Sequence, residues 1–78
     1  MRVAFDYSKL RGKIIEVFGT QYNFAKEMEW SERTLSLKMR GLVPWKQSDI
    51  CKAIELLHLT ESDISTYFFT PKVQNIEL

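Results

Sequence analysis

TQYNFAKEMEWSERTLSLKMRG, residues 20–41, is the stretch that decides the fold. It reads as two short helices joined by a tight turn, the plan of a DNA-binding helix-turn-helix whose second helix enters the major groove. Thr20 offers a side-chain oxygen to a free N–H in the first turn of the leading helix. Phe24, Ala25 and Met28 recur at helical spacing as one apolar stripe, with Ala25 small where a second helix crosses closely. Glu29, Trp30 and Ser31 interrupt that stripe. Trp30 is the apolar plug of the turn, and Ser31 is an N-cap for the second helix, with Thr34 three residues on. Leu35 and Met39, at i and i+4, form the second helix's inward stripe. Glu32, Arg33, Ser36, Leu37, Lys38 and Arg40 are left for its outer face. Gly41 ends the helix, as a residue taking the left-handed conformation does.

Outward from this segment the pattern remains helical. A first helix is expected from Tyr7 to Phe18, after Asp6 as cap, with an apolar stripe of Leu10, Ile14, Val17 and Phe18; Gly12 lies inside it and weakens it. The helix-turn-helix pair spans about Gln21 to Met28 and Glu32 to Arg40. Pro44 disfavours helix in the residue before it, so Leu42, Val43 and Pro44 form a connector. A fourth helix, Lys46 to Leu57, places Ile50, Ala53, Ile54 and Leu57 at i, i+3, i+4 and i+7. Thr60 and Asp63 make a capping-box variant for a fifth, Glu61 to Phe69, with Ile64, Tyr67 and Phe68 inward. Pro71 stops it. The expectation is an all-α, five-helix domain over residues 1–70 and a C-terminal tail over residues 71–78.

Seventy-eight residues are enough for one small core. One cysteine, Cys51, excludes an intramolecular disulfide. Its neighbours Ile50 and Ala53 suggest a small, buried or half-buried helix residue. No apolar run approaches membrane-spanning length and no signal peptide is visible, which points to the cytoplasm. The net charge is only +1, but residues 1–46 hold nine Lys or Arg against five Asp or Glu, and residues 47–78 hold two against five. A basic first half can attract phosphates even in a nearly neutral molecule, although the same clusters would suit ordinary solvated helix faces.

Catalytic readings lack partners. His58 is the sole histidine, and its place near a helix end suits a surface residue. Ser31, Ser36 and Ser48 have no His–Asp partners. No Cys/His cluster suits zinc and no Gly-rich loop suits a phosphate. The chain is therefore expected not to be an enzyme, and to need no metal, cofactor or small-molecule substrate.

The helix-turn-helix resembles that of the lambda-repressor-like, Cro-type phage regulators. Gln21 stands at that family's opening Gln, Ala25 at its small alanine, Met28 and Trp30 at the apolar positions flanking the turn, Leu35 at the buried aliphatic and Gly41 at the closing Gly. The stretch from Val43 to Leu57 resembles the family's following helix. Tyr67 to Val73 resembles the ending of a small Cro-like subgroup from prophages of Gram-positive bacteria. Glu29 departs from the pattern, because the turn position usually carries Gly. The resemblance implies that Gln21 anchors a phosphate and buttresses the recognition helix. It also implies that Glu32, Arg33 and Leu37 read bases, with Ser31 and Ser36 beside them. Arg33 suits guanine, Glu32 a cytosine amino group and Leu37 a thymine methyl. Lys38, Arg40, Lys46 and Gln47 are the backbone contacts, with Gln47 near the minor groove.

The expected function is that of a phage or prophage transcriptional regulator that binds operator DNA as a homodimer in the nucleoid of its host. Phe68, Phe69, Val73, Ile76 and Leu78 are the apolar residues left over for an interface. The tail is either that dimerisation element or a disordered end, as termini often are. A protein-binding helix-turn-helix protein, such as an antitoxin or antirepressor, is the alternative, and a purely structural interaction module is a third class.

Overall fold

Five α-helices follow one another in a computed structural model that describes residues 5–71: α1 Ser8–Phe18, α2 Gln21–Glu27, α3 Glu32–Met39, α4 Gln47–Leu56 and α5 Ile64–Phe68. A 3-10 turn at Glu61–Asp63 leads into α5. No strand forms among the described residues; the one β-bridge pairs Phe5 with Pro71 in antiparallel fashion. The architecture is all-helical, as the sequence periodicity implies. Val73, Ile76 and Leu78 lie outside the described residues.

The core is assembled from the stripes of all five helices. Leu10 and Ile14 of α1, Phe24 and Ala25 of α2, Leu35 of α3, Ala53 of α4 and Phe68 of α5 are all buried. Phe18 meets Phe24 edge-on at 5.4 Å between ring centres. An aromatic hub fills the opposite side. Trp45 packs edge-on against Trp30 at 5.4 Å and against Phe68 at 5.1 Å, and tilted against Tyr7 at 6.2 Å. One ring therefore links the start of α1, the turn of the helix-turn-helix and α5.

Polar groups set the helix ends. Thr20 accepts a hydrogen bond from the Asn23 N–H and Ser31 one from the Thr34 N–H, both at 3.1 Å. Asn23 also donates its side-chain amide to the Phe18 carbonyl at 3.0 Å, so one residue ties the end of α1 to the start of α2. Carboxylates reach back to the N-caps of the later helices: Asp49 accepts from Lys46 N–H and Asp63 from Thr60 N–H.

Three helices end in the same way. After α2, α3 and α4 a residue turns left-handed: Glu29 at φ 63°, Gly41 at φ 76° and His58 at φ 58°. The next N–H then bonds five residues back, Trp30 to Ala25 at 2.8 Å, Leu42 to Leu37 at 2.9 Å and Leu59 to Ile54 at 2.9 Å. This is the Schellman closure, which satisfies the free carbonyls of a last turn. Glu29 thus builds the turn without glycine.

Several expectations are corrected. Val17 is exposed, because Tyr7, Leu10, Ile14 and Phe18 define the inward stripe of α1 and Val17 falls at its edge. Cys51 is exposed, not buried; adjacent helical residues point about 100° apart, so apolar sequence neighbours do not carry it inward. Phe68 is not left over for an interface but is buried beneath Trp45. Of the described apolar candidates in that group only Phe69 is exposed.

Two substitutions check this packing. Leu35→Ala should destabilise the fold by about 2–5 kcal/mol, and a thermal melt matching the parent's would show that the inward face of α3 is misassigned. Glu29→Gly should do the opposite. It removes a left-handed penalty of about 1–2 kcal/mol and costs about 0.5–1 kcal/mol in unfolded-state freedom. A Tm raised by about 2–4 °C in calorimetry is the expected result.

Candidate nucleic-acid interface

The surface of α2 and α3 is built by the caps that frame them. Ser31 holds its hydroxyl 3.0 Å from that of Thr34 while accepting from the Thr34 N–H, so its oxygen serves the helix start. Beyond this cap Glu32, Arg33, Ser36 and Arg40 are exposed on or just after α3. Leu37 is half-buried, and its carbonyl accepts from the N–H groups of both Leu42 and Val43. Gln21 is half-buried at the first position of α2. Beside it Tyr22 stands 55% exposed, an aromatic that the sequence reading left out of the site. Lys46 and Gln47 are exposed at the start of α4.

Lys38 does not belong to this surface. It is 5% exposed. Its ammonium donates to Asp49 Oδ2 at 2.9 Å and to the Pro44 carbonyl at 3.0 Å, and lies 4.8 Å from the centre of the Trp30 ring. A backbone-phosphate role is therefore corrected to a structural one. The cause is helical spacing: Lys38 lies three residues after Leu35 and so shares the inward face. Its stem covers apolar surface while its charge is satisfied at the far end. The pair joins α3 to the first turn of α4, which sets Lys46 and Gln47 beside a helix fixed to α3.

The withdrawal of Lys38 changes the electrostatics of the face. Arg33 and Arg40 are the cations exposed on or just after α3, set against the carboxylate of Glu32. Glu29 at the turn is engaged by Lys52 at 3.2 Å, an exposed pair of little energetic weight. The arrangement offers hydrogen-bond donors and acceptors suited to base edges, with modest positive charge to attract phosphates. Among the described residues no three His, Cys, Asp or Glu side chains come together as metal ligands, and no helix is long and apolar enough to cross a membrane.

Asp49 is the functional partner that sequence reasoning missed. Burial pushes its carboxyl up, but the hydrogen bonds from Lys38 and from the Lys46 N–H, with the charges of both lysines, outweigh that and hold it below the ordinary value. The signal was available: a carboxylate three residues into a helix whose N-cap N–H is otherwise unmet.

Comparison with known proteins gives two findings. The family described as protein of unknown function (DUF739) matches residues 3–71. The chain is also similar to the solution structure of the modulator of repression (MOR) of the temperate bacteriophage TP901-1 from Lactococcus lactis. The two are 54% identical with a TM-score of 0.76, over 90% of this chain and 95% of that one. No curated protein is significantly similar to the chain.

The Lys38–Asp49 pair makes stability depend on pH. A carboxyl whose folded pKa lies below its ordinary 3.8 contributes stability that is fully present above that value and is lost as the pH falls through the folded pKa. Acid titration followed by circular dichroism should show this loss. Lys38→Met should flatten that limb and lower stability at neutral pH by about 1.5–3 kcal/mol, since it removes the charged donor of part-buried Asp49 and leaves that carboxylate only the Lys46 N–H. A variant as stable as the parent would show that the pair is dispensable.

Proposed function

The chain belongs to the DUF739 family and has the fold of a phage modulator of repression; we propose that it is a phage or prophage regulatory protein that modulates repression by laying α3 on operator DNA. The observation that carries this reading is the capped helix-turn-helix that leaves Glu32, Arg33 and Ser36 exposed on one short helix. On this reading Arg33 donates in pairs to a guanine and Glu32 accepts from a cytosine amino group, while half-buried Leu37 offers its edge to a thymine methyl. Gln21 buttresses the pair, and Arg40, Lys46 and Gln47 meet the backbone. Two copies bind together, because one small module makes few base contacts and two recognition helices about 34 Å apart read successive major grooves. The role is non-catalytic and is exercised in the bacterial host's cytoplasm.

A second reading is favoured by the buried charge. With Lys38 withdrawn, α3 carries a nearly balanced outer face. Sequence-independent DNA affinity grows with the number of phosphates neutralised, so such a face binds DNA weakly by itself. The similar phage protein is a modulator of repression. Under this reading the chain acts on a regulatory protein, as an antirepressor or antitoxin does.

Fluorescence anisotropy with DNA flanking the gene separates the two. The DNA reading expects saturable binding that Arg33→Ala weakens by about 1–3 kcal/mol with relaxed sequence preference. Lys46→Ala should lower the salt slope by about one unit. Sedimentation on the same DNA should show two copies bound. No binding at about 0.05 M salt would remove the DNA reading and leave the protein-binding one.

A further inference from the structure

A groove of about 870 Å³ opens where the segment before α1, the loop after α3 and the end of α5 meet. Phe5 and Phe69 line it and contact each other edge-on at 5.5 Å. Leu42 and Phe69 leave 58% and 46% of their surfaces to solvent there. A smaller recess of about 460 Å³ continues past Trp45 and Phe69 to Ile64 and Cys51. Exposed apolar surface gathered in one concavity, not scattered singly, is what a partner covers.

The polar groups at the groove are dominated by donors. Arg11 and Arg40 are exposed at its edge and form no ion pair among the described residues. Asp6, which also lines it, accepts the Ser8 N–H with its carboxylate. Trp45 carries a buried indole N–H with no acceptor among the described residues. Cations above an aromatic floor suit a partner that brings carboxylates beside apolar side chains, because complementary charge selects the partner and apolar burial retains it.

We propose that this groove docks an acidic, apolar-anchored segment of a partner protein. The inference rests on the second reading above, in which the chain acts through a protein. It also couples the two readings: Arg40 lines the groove and is a backbone candidate, so an occupant that engages it competes with DNA for the same guanidinium.

The two indole N–H signals make the test direct. The ¹⁵N-labelled full chain is titrated with Ac-Glu-Phe-Glu-Leu-amide and, separately, with Ac-Lys-Phe-Lys-Leu-amide. The acidic peptide should shift the Trp45 indole signal and the amides of Leu42 and Phe69, while the basic peptide should not. Arg11→Glu, at an exposed position that leaves the spectrum dispersed, should weaken the acidic peptide at least tenfold. Equal shifts with both peptides, or no loss in Arg11→Glu, would overturn the charge selection and with it the proposal. Shifts confined to α3 would overturn the groove while leaving a protein-binding role. No shift up to about 5 mM peptide would also overturn the groove, because even a millimolar site would then be mostly filled. The protein-binding reading itself fails separately, if the full chain immobilised as bait retains no phage repressor.

Discussion

A single buried ammonium fixes α3 against the rest of the protein. Lys38 reaches Asp49, the Pro44 carbonyl and the Trp30 ring together. Those three groups belong to the first turn of α4, to the connector and to the turn between α2 and α3, so one side chain sets the spacing of three segments. The geometry suits lysine: a compact head with three divergent donors meets three different directions, where the flat fork of arginine would match one plane. Such a pair is poor evidence for extra stability over an apolar core, but losing one member leaves a buried group unmet. The arrangement therefore ties α3 to the connector and to α4 through one side chain.

The same residue links packing to recognition. A lysine at this position adds a positive charge to the molecule but none to its outer face. Trp30 and Trp45 are drawn in beside it, and Trp45 carries the contact onward to Tyr7 and Phe68. In a small domain, where little apolar surface is available, such large rings provide much of the core. They also leave the groove beside Arg11 and Arg40 with an aromatic floor. The packing of the helix-turn-helix and the lining of the groove are thus two sides of one cluster.

Much of this was legible in the sequence because it is local. Thr20 and Ser31 announced their caps, Leu35 its burial, and Ile50, Ala53 and Leu57 their shared stripe. Of the candidate site, only the outer face of α3 was legible, as residue types on a helix; the base-reading roles rested on the resemblance. Glu32, Arg33 and Ser36 followed from elimination once Leu35 and Met39 were turned inward. Lys38 failed because charge was taken as exposure, although its spacing from Leu35 placed it on the buried face. Cys51 and Val17 failed where a stripe has an edge that sequence alone does not mark. The groove was not legible at all, since Arg11, Leu42 and Phe69 come together only through the fold.

The pairing of Phe5 with Pro71, and of the Asp6 N–H with the Thr70 carbonyl at 2.7 Å, brings the two ends of the described chain side by side. This contact closes a loop that contains every helix. Its entropy of closure is large when the intervening chain is unfolded and small once the helices are packed. It can therefore persist only after the rest has formed, and it adds the longest sequence separation to a fold otherwise rich in local contacts. The two paired backbone groups act as a latch on completed folding. The Asp6 amide proton reports global opening if the latch is tight and end fraying if it is loose. Because Phe5 and Pro71 adjoin, a short linker between those two positions would span the gap without stretching the chain.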